Sequence, residues 1–238
     1  MTSIVSNRGG RLLTLASAAV LGAACSGVAP DGDQTRSPAT SIAPAAQLDG
    51  QESLDAGTYI VGAVEPLLVT VTVPDGWQAI GDWAVAGPEG SGSMAMSFWF
   101  VANVYAAPRH PDRGLLDPPV GPSVDDLAEA LSVQPGQEIG GSNITFLSPV
   151  DISLDGYEGR QVVLTGPRED YSGCWFRMWE TADGDYRCRE ASGQVDKIVI
   201  LDVAGERLVI DRQYFPETSP GDRAELEQVF ESIQIEAP

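Results

Sequence analysis

The chain has 238 residues, with 14 Lys and Arg side chains against 34 Asp and Glu, and its formal net charge is −20 at pH 7. A field of this sign repels nucleic acid and anionic lipid headgroups, which excludes both as preferred partners. It can attract basic peptides or divalent cations. A well-solvated acidic surface without a partner has the same composition, so charge alone does not choose between these interpretations.

The first residues have the pattern of a bacterial lipoprotein export signal. Arg8 and Arg11 precede an uncharged apolar run over 12–24 that is too short to span a bilayer and ends in small residues before Cys25. We therefore predict a signal peptide over 1–24, a lipid anchor at Cys25, and a location at the outer face of the cytoplasmic membrane. The alternative is ordinary signal cleavage and secretion, since small residues also satisfy that peptidase.

Composition divides the rest of the chain. Residues 25–52 contain no aromatic side chain and many Ala, Pro, Ser, Thr and Asp, which predicts a flexible, lipid-anchored linker. Residues 53–238 are rich in β-branched and aromatic runs and predict a single globular domain. Without Arg8 and Arg11, the part after the signal carries a net charge of −22, because the signal contains no acidic residue.

Strand patterns dominate the predicted domain, with apolar or alternating runs bounded by Gly, Pro and Asp. The predicted strands are 59–64, 67–73 and a long one at 94–105, followed by the hairpin pairs 150–154 with 161–164, 175–180 with 186–189, and 198–203 with 207–210.

Two helices are predicted. Ser123, with Asp126 three residues later, resembles a capping box, and Ser219 precedes Pro220 at a first helical position. Their apolar stripes are Leu127, Ala130 and Leu131 in the first helix and Leu226, Val229, Phe230 and Ile233 in the second. Mostly antiparallel strands with two or more helices packed against them indicate the α+β class.

Cys174 and Cys188 are the two thiols that remain after lipidation, and in an exported protein such a pair is expected to form a disulfide. A two-residue turn at Asp183-Gly184 would place Cys174 opposite position 193, so an irregular connection or a contact across a loop is required. A metal site would need more ligands, and the single histidine, His110, is distant in sequence. We therefore expect no metal and no cofactor.

Four segments occur in a familiar order: VPDGW at 73–77, LDGYEG at 154–159, ILDVAG at 200–205 and ELE…ESI at 225–233. In these the chain resembles uncharacterised exported or lipid-anchored proteins of high-G+C Gram-positive bacteria, and more distantly the PsbP-like fold. The resemblance implies an antiparallel sheet with packed helices over most of the domain. It implies no catalytic residues, and by analogy it favours protein binding.

A proline-rich connection at 106–122 contains Arg109, His110 and Arg113, and long connections of this kind often carry function. We treat these three residues as candidate partner contacts. The alternative is a spacer that wraps the sheet edge.

Trp175 and Trp179 lie in an aromatic-rich run beside the cysteine pair. Strict alternation places both on one face with Arg177, so this face could be open and the two tryptophans could be partner contacts. The alternative, that both are core residues, is the commoner use of such side chains.

Signals of catalysis are weak. A hydrolytic triad needs a base, and His110 lies in a proline-rich loop without a Gly-x-Ser-x-Gly element elsewhere. Acidic pairs such as Asp125-Asp126 are better interpreted as helix starts and turns. The sequence therefore predicts a non-catalytic binding or accessory module whose partner is an extracytoplasmic protein. The alternative is an extracytoplasmic hydrolase with an unrecognised carboxylate or metal site.

Overall fold

The structure is a computed structural model, and its largest element is a seven-stranded antiparallel sheet. The structure describes residues 45–88, 94–134, 145–166, 174, 176–189 and 192–238. The strands of this sheet, numbered in chain order and given in spatial order, are β4 (Gln78–Ile80), β5 (Ala84–Ala86), β6 (Ala95–Phe100), β13 (Glu206–Tyr214), β12 (Val195–Val203), β9 (Tyr157–Thr165) and β8 (Thr145–Leu154).

Two smaller sheets complete the strand content of the described residues. One has the order β1 (Ala46–Gln47), β2 (Gly57–Val61), β3 (Leu68–Val73) and β14 (Gln234–Glu236). The other has the order β11 (Tyr186–Arg189), β10 (Phe176–Glu180) and β7 (Asn103–Val104). Mostly antiparallel sheets with two helices confirm the predicted α+β class.

Both helices begin where the sequence predicts. Helix α1 (Val124–Val133) has a reciprocal capping box, in which the Asp126 amide donates to Ser123 Oγ at 3.0 Å and the Ser123 amide donates to the Asp126 carboxylate at 3.0 Å. Helix α2 (Pro220–Glu231) begins after Ser219, whose hydroxyl accepts from the Asp222 amide. The apolar stripes predicted for both helices are buried.

The central strands of the seven-stranded sheet, β6, β13 and β12, are buried on both faces, and successive side chains of each strand point to opposite faces. On β12, Val199 and Leu201 join one core with α2 and the four-stranded sheet. Ile198 and Ile200 join a second core with α1 and the three-stranded sheet. We refer to these as the α2 face and the α1 face.

An ion pair and an aromatic contact fix α2 on its face. Glu227 of α2 accepts from Lys197 at 2.5 Å and from Arg212, and the Arg212 guanidinium carbon lies 3.6 Å from the centre of the Phe230 ring. Burial lowers the pKa of Arg212, whereas the neighbouring Glu227 raises it. The helix is therefore held by charge as well as by its apolar stripe.

Two-residue turns set the register of the longest hairpins. Asp155 and Gly156 both have positive φ, at 48° and 83°, and so do Ala204 and Gly205, at 55° and 93°. This is the backbone that a tight hairpin turn requires, and glycine adopts it without steric cost. The β8–β9 hairpin is consequently tighter than the sequence predicts, with residues 157–159 in the strand rather than in the loop.

Two predicted boundaries are wrong. The strand predicted over 94–105 ends at Phe100, and β7 joins a different sheet. Because both faces of β6 are buried, its residues are almost all apolar. The run of apolar residues therefore does not show where the chain leaves the seven-stranded sheet and enters the three-stranded one. The predicted linker over 25–52 also extends too far, because β1 pairs with β2 and Leu48 is buried. Strand β1 has only two residues, so it is too short to show the alternation of apolar and polar residues by which a strand is predicted.

The capping box provides a test of how α1 is positioned. Ser123→Ala removes the hydroxyl that satisfies the Asp126 amide, and we expect it to lower the free energy of unfolding by about 1 kcal/mol. Urea denaturation measures the change. Ser153→Ala, at an exposed position on β8, is the control and should be close to neutral; equal losses in both variants would contradict a specific role for the cap.

Candidate functional site

A cleft of about 370 Å³ lies where the start of α1 approaches the turn ends of the β8–β9 and β12–β13 hairpins. Its volume is within the range of small-ligand sites. Seven of its lining residues are charged: the carboxylates Asp125, Asp151, Glu158, Asp202 and Glu206, and the guanidinium groups Arg160 and Arg207.

Arg160 joins α1 to the sheet across this cleft. Its Nε donates to Asp125 at 2.6 Å, and its Nη1 contacts Asp151 on the neighbouring strand β8. The two carboxylates raise the pKa of Arg160, with Asp125 the larger influence. Both carboxylates remain open to solvent, with 72% of the Asp125 side chain and 85% of the Asp151 side chain exposed.

Arg207 is engaged by backbone carbonyl groups. It donates to the Gly121 carbonyl at 2.6 Å, to the Val101 carbonyl at 2.9 Å and to the Ser123 carbonyl at 3.2 Å. Burial lowers the pKa of Arg207 and Asp126 raises it. The side chain therefore holds the segment before α1 in place, and both terminal nitrogens of its guanidinium group donate within the protein.

The charge balance of the cleft follows from these contacts. Five carboxylates face two guanidinium groups that already have internal partners, so the lining has a negative excess of three. Glu158, Asp202 and Glu206 are exposed at its rim. Such a surface favours an organic cation, such as the guanidinium or ammonium group of a basic side chain.

Metal binding and nucleophilic chemistry have little support in the described part of the chain. No group of three or more His, Cys, Asp or Glu side chains there is arranged to hold a metal ion. Among the described residues that line the cleft, only Ser123 carries a hydroxyl, and that hydroxyl contacts Asp126 at 2.6 Å in the capping box. His110 does not line the cleft.

The structure brings Arg109, His110 and Arg113 together on one exposed turn. A 3-10 turn covers Pro111–Arg113, and the Arg113 amide donates to the His110 carbonyl at 2.9 Å. The connection is anchored rather than loose, since Asn103 binds the Leu116 carbonyl and the Val120 amide. These three residues are therefore accessible, and partner contact at this turn stays a prediction.

Trp179 is a core residue, so the prediction that it contacts a partner is wrong. Its side chain is 0% exposed and packs edge-on against Trp99, with ring centres 6.0 Å apart. A β-bulge between Arg177 and Trp179 shifts the register by one residue. Strict alternation therefore fails, and Met178 and Trp179 are both buried. Trp175 lies outside the described residues, as does Cys25.

Cys174 and Cys188 form a disulfide-compatible pair with Cα atoms 5.5 Å apart, in agreement with the predicted pairing. Arg177 rather than Cys174 is opposite Cys188 in the strand ladder, and Cys174 lies before the first residue of β10. The cysteines therefore meet outside the regular hairpin, as the spacing requires.

A network of buried charges, which none of the sequence motifs predicts, lies on the α1 face next to Cys188. Arg187 donates to Asp211 at 2.6 Å and to Asp196 at 3.1 Å, and Arg189 Nε lies 2.7 Å from an Asp196 oxygen. Both aspartates are 0% exposed. Charged residues inside otherwise apolar strands are the signal that could have revealed the network.

Two amide side chains extend this network. Gln194 donates to Asp196 at 2.5 Å and to Gln213 at 3.2 Å, and Arg187 also contacts Gln213. The pKa of Asp211 is raised to about 6, mainly by burial and further by the neighbouring Asp196. Arg187 and Arg189 act in the opposite direction and lower this pKa. Because solvent does not reach the network, we interpret it as structural.

No protein-family model matches the sequence, and no curated protein is similar to it at a significant level. Among the described residues, none of the helices has the length and apolar character needed to cross a bilayer. The functional interpretation therefore depends on the geometry above.

Asp211 provides a pH test of the buried network. Its pKa of about 6 lies above the value of about 3.9 for an unfolded aspartate, so the folded protein binds the extra proton. This group's contribution to stability consequently increases as the pH falls from 7 towards 4 and is lost as the pH rises through 6.

We expect Asp211→Asn to abolish this component, so the stability difference between variant and wild type should change most between pH 4 and pH 6. Urea unfolding across this range measures it. Asp202→Asn, an exposed control, should leave the wild-type pH profile in place. A constant difference between Asp211→Asn and wild type at all pH values would contradict the raised pKa.

Proposed function

We propose that this protein is a non-catalytic accessory module, anchored by lipid at Cys25 to the outer face of the cytoplasmic membrane, that binds a basic segment of another extracytoplasmic protein. The observation that carries the binding role is the cleft, whose five carboxylates outnumber two internally engaged guanidinium groups. A cationic side chain entering it would meet carboxylates without displacing an existing cation.

The fold assignment within this proposal is PsbP-like. Antiparallel sheets with α1 and α2 packed against the faces of the largest one support it. The fold by itself does not determine function, and the binding role depends on the cleft.

The cleft proposal makes a charge-specific prediction. Glu158→Gln with Glu206→Gln removes two exposed carboxylates and leaves the ion pairs of Arg160 in place. We expect this double variant to reduce the yield of the partner crosslinked in intact cells by about threefold or more, since each exposed charge pair contributes up to about 1 kcal/mol.

The matched control is Glu52→Gln with Glu217→Gln, which makes the same charge change at exposed positions outside the cleft. Wild-type yield for the control and reduced yield for the cleft variant support the site. Equal yields from both variants would reject it. If instead the yield falls only when Arg109, His110 and Arg113 are all replaced by Ala, the contact lies at the exposed turn.

Anchoring is tested separately. Cys25 follows a charged, apolar and small-residue signal, so we expect Cys25→Ala to move the protein from the membrane fraction to the medium. Membrane fractionation with immunoblotting measures the partition. Equal release of wild type and variant would contradict lipidation and favour the secreted alternative.

A further inference from the structure

The two edges of the seven-stranded sheet differ. At one edge, β4 has three residues and is covered by the preceding segment, since Ser53 bridges Gln78 and the Ala79 amide donates to the Glu52 carbonyl. At the other edge, β8 has ten residues and, within the part of the chain that the structure describes, pairs only with β9. An open strand of this length is a template for pairing with another chain.

The two faces of β8 have different chemistry. Leu147 and Val150 are 59% and 52% exposed, and they lie opposite Val163 and Gln161 on the α2 face. A β-bulge between them explains why residues three apart share a face. Asp151 lies on the α1 face, opposite Arg160, and belongs to the cleft lining.

An added strand would have to match this division. Its side chains would point alternately to the two faces, so one set would meet Leu147 and Val150 and the other would meet Asp151 and the cleft. Complementarity therefore requires apolar residues alternating with basic ones. Pro149 lacks an amide donor and lies in the bulge between Leu147 and Val150, so it interrupts backbone pairing at this point of β8 and limits indiscriminate association.

Charge argues against the two occupants that this chain itself could supply. The β8 sequence, TFLSPVDISL, has one carboxylate and no basic residue, so a second copy would bring carboxylate to carboxylate. The predicted linker has a single basic residue, Arg36, and contains acidic residues as well. An occupant from another protein is the one that fits.

We infer that β8 is a docking edge to which an extended segment of another protein, with alternating apolar and basic residues, adds as an eighth strand. This inference depends on the proposed binding function and specifies the form of its partner. Backbone hydrogen bonds would supply affinity, and the two faces would supply selectivity.

The test uses the purified full chain and a fluorescent, end-capped octapeptide of alternating valine and arginine, with binding measured by anisotropy. A peptide of the same composition with four valines followed by four arginines should bind at least about tenfold more weakly, since it cannot present one chemistry to each face. Equal affinity for the two peptides would overturn the inference.

Backbone pairing is tested with two methylated forms of the alternating peptide, one N-methylated on its valines and one on its arginines. Only alternate amides of an added strand face the edge, so one form should lose about tenfold or more in affinity and the other should bind much as the parent does. If methylation at both sets or at neither set changes affinity, strand addition is wrong.

Protein variants locate the contact. The double variant Leu147→Thr with Val150→Thr removes apolar surface from β8, while threonine remains compatible with a strand. We expect it to weaken binding of the alternating peptide about fivefold. Asp151→Asn leaves Arg160 paired with Asp125 and should weaken binding about threefold. Glu217→Gln, at an exposed position outside the cleft, is the matched control and should bind as wild type; equal loss in this control would overturn the assignment.

Two further outcomes separate this inference from the proposed function. If the protein alone sediments as a dimer that Leu147→Thr with Val150→Thr dissociates, the edge pairs with a second copy and the inference is wrong. If that double variant retains full crosslinking in cells while Glu158→Gln with Glu206→Gln loses it, the edge inference fails and the cleft function stands.

Discussion

Burial of the central strands of the seven-stranded sheet on both faces is the constraint on which the rest of the structure depends. Its inner strands β12 and β13 have almost no solvent-facing side, so each charged side chain on them needs a partner inside the protein. On the α1 face, Asp196 and Asp211 meet arginines from β11. On the α2 face, Lys197 and Arg212 meet Glu227. These pairs fix the positions of the three-stranded sheet, which contains β11, and of α2.

The cleft forms where this burial ends. Towards the hairpin turns the α1 face is open to solvent. The charged residues there lie at the surface, whereas those nearer the centre of the sheet pair inside the protein. Arg160 is intermediate, with 34% of its side chain exposed, and joins the helix to the edge strand. Its partners Asp125 and Asp151 are exposed, so the lining carboxylates are accessible from solvent, whereas the aspartates of the arginine network are not.

Asp151 connects the two proposed binding features, since it lines the cleft and also lies on β8. A strand on this edge would therefore contact the apolar strip of Leu147 and Val150 with one face and the acidic cleft with the other. The exposed turn with Arg109, His110 and Arg113 has the opposite charge. It belongs to a connection that is tied to another part of the fold, because Asn103 on β7 forms hydrogen bonds with Leu116 and Val120. The acidic cleft and the basic turn would therefore select partner segments of opposite charge.

The sequence by itself determined the local elements whose causes are local: the Ser123 and Ser219 caps, the apolar stripes of both helices, and the tight turn at Gly205. Tertiary structure decided the rest. Alternation could not show that Trp179 is buried, because one bulge residue reverses the face of a strand. The buried arginine network joins Arg187 to Asp211, 24 positions away, and the cleft joins Arg160 to Asp125, 35 positions away; only packing brings such residues together.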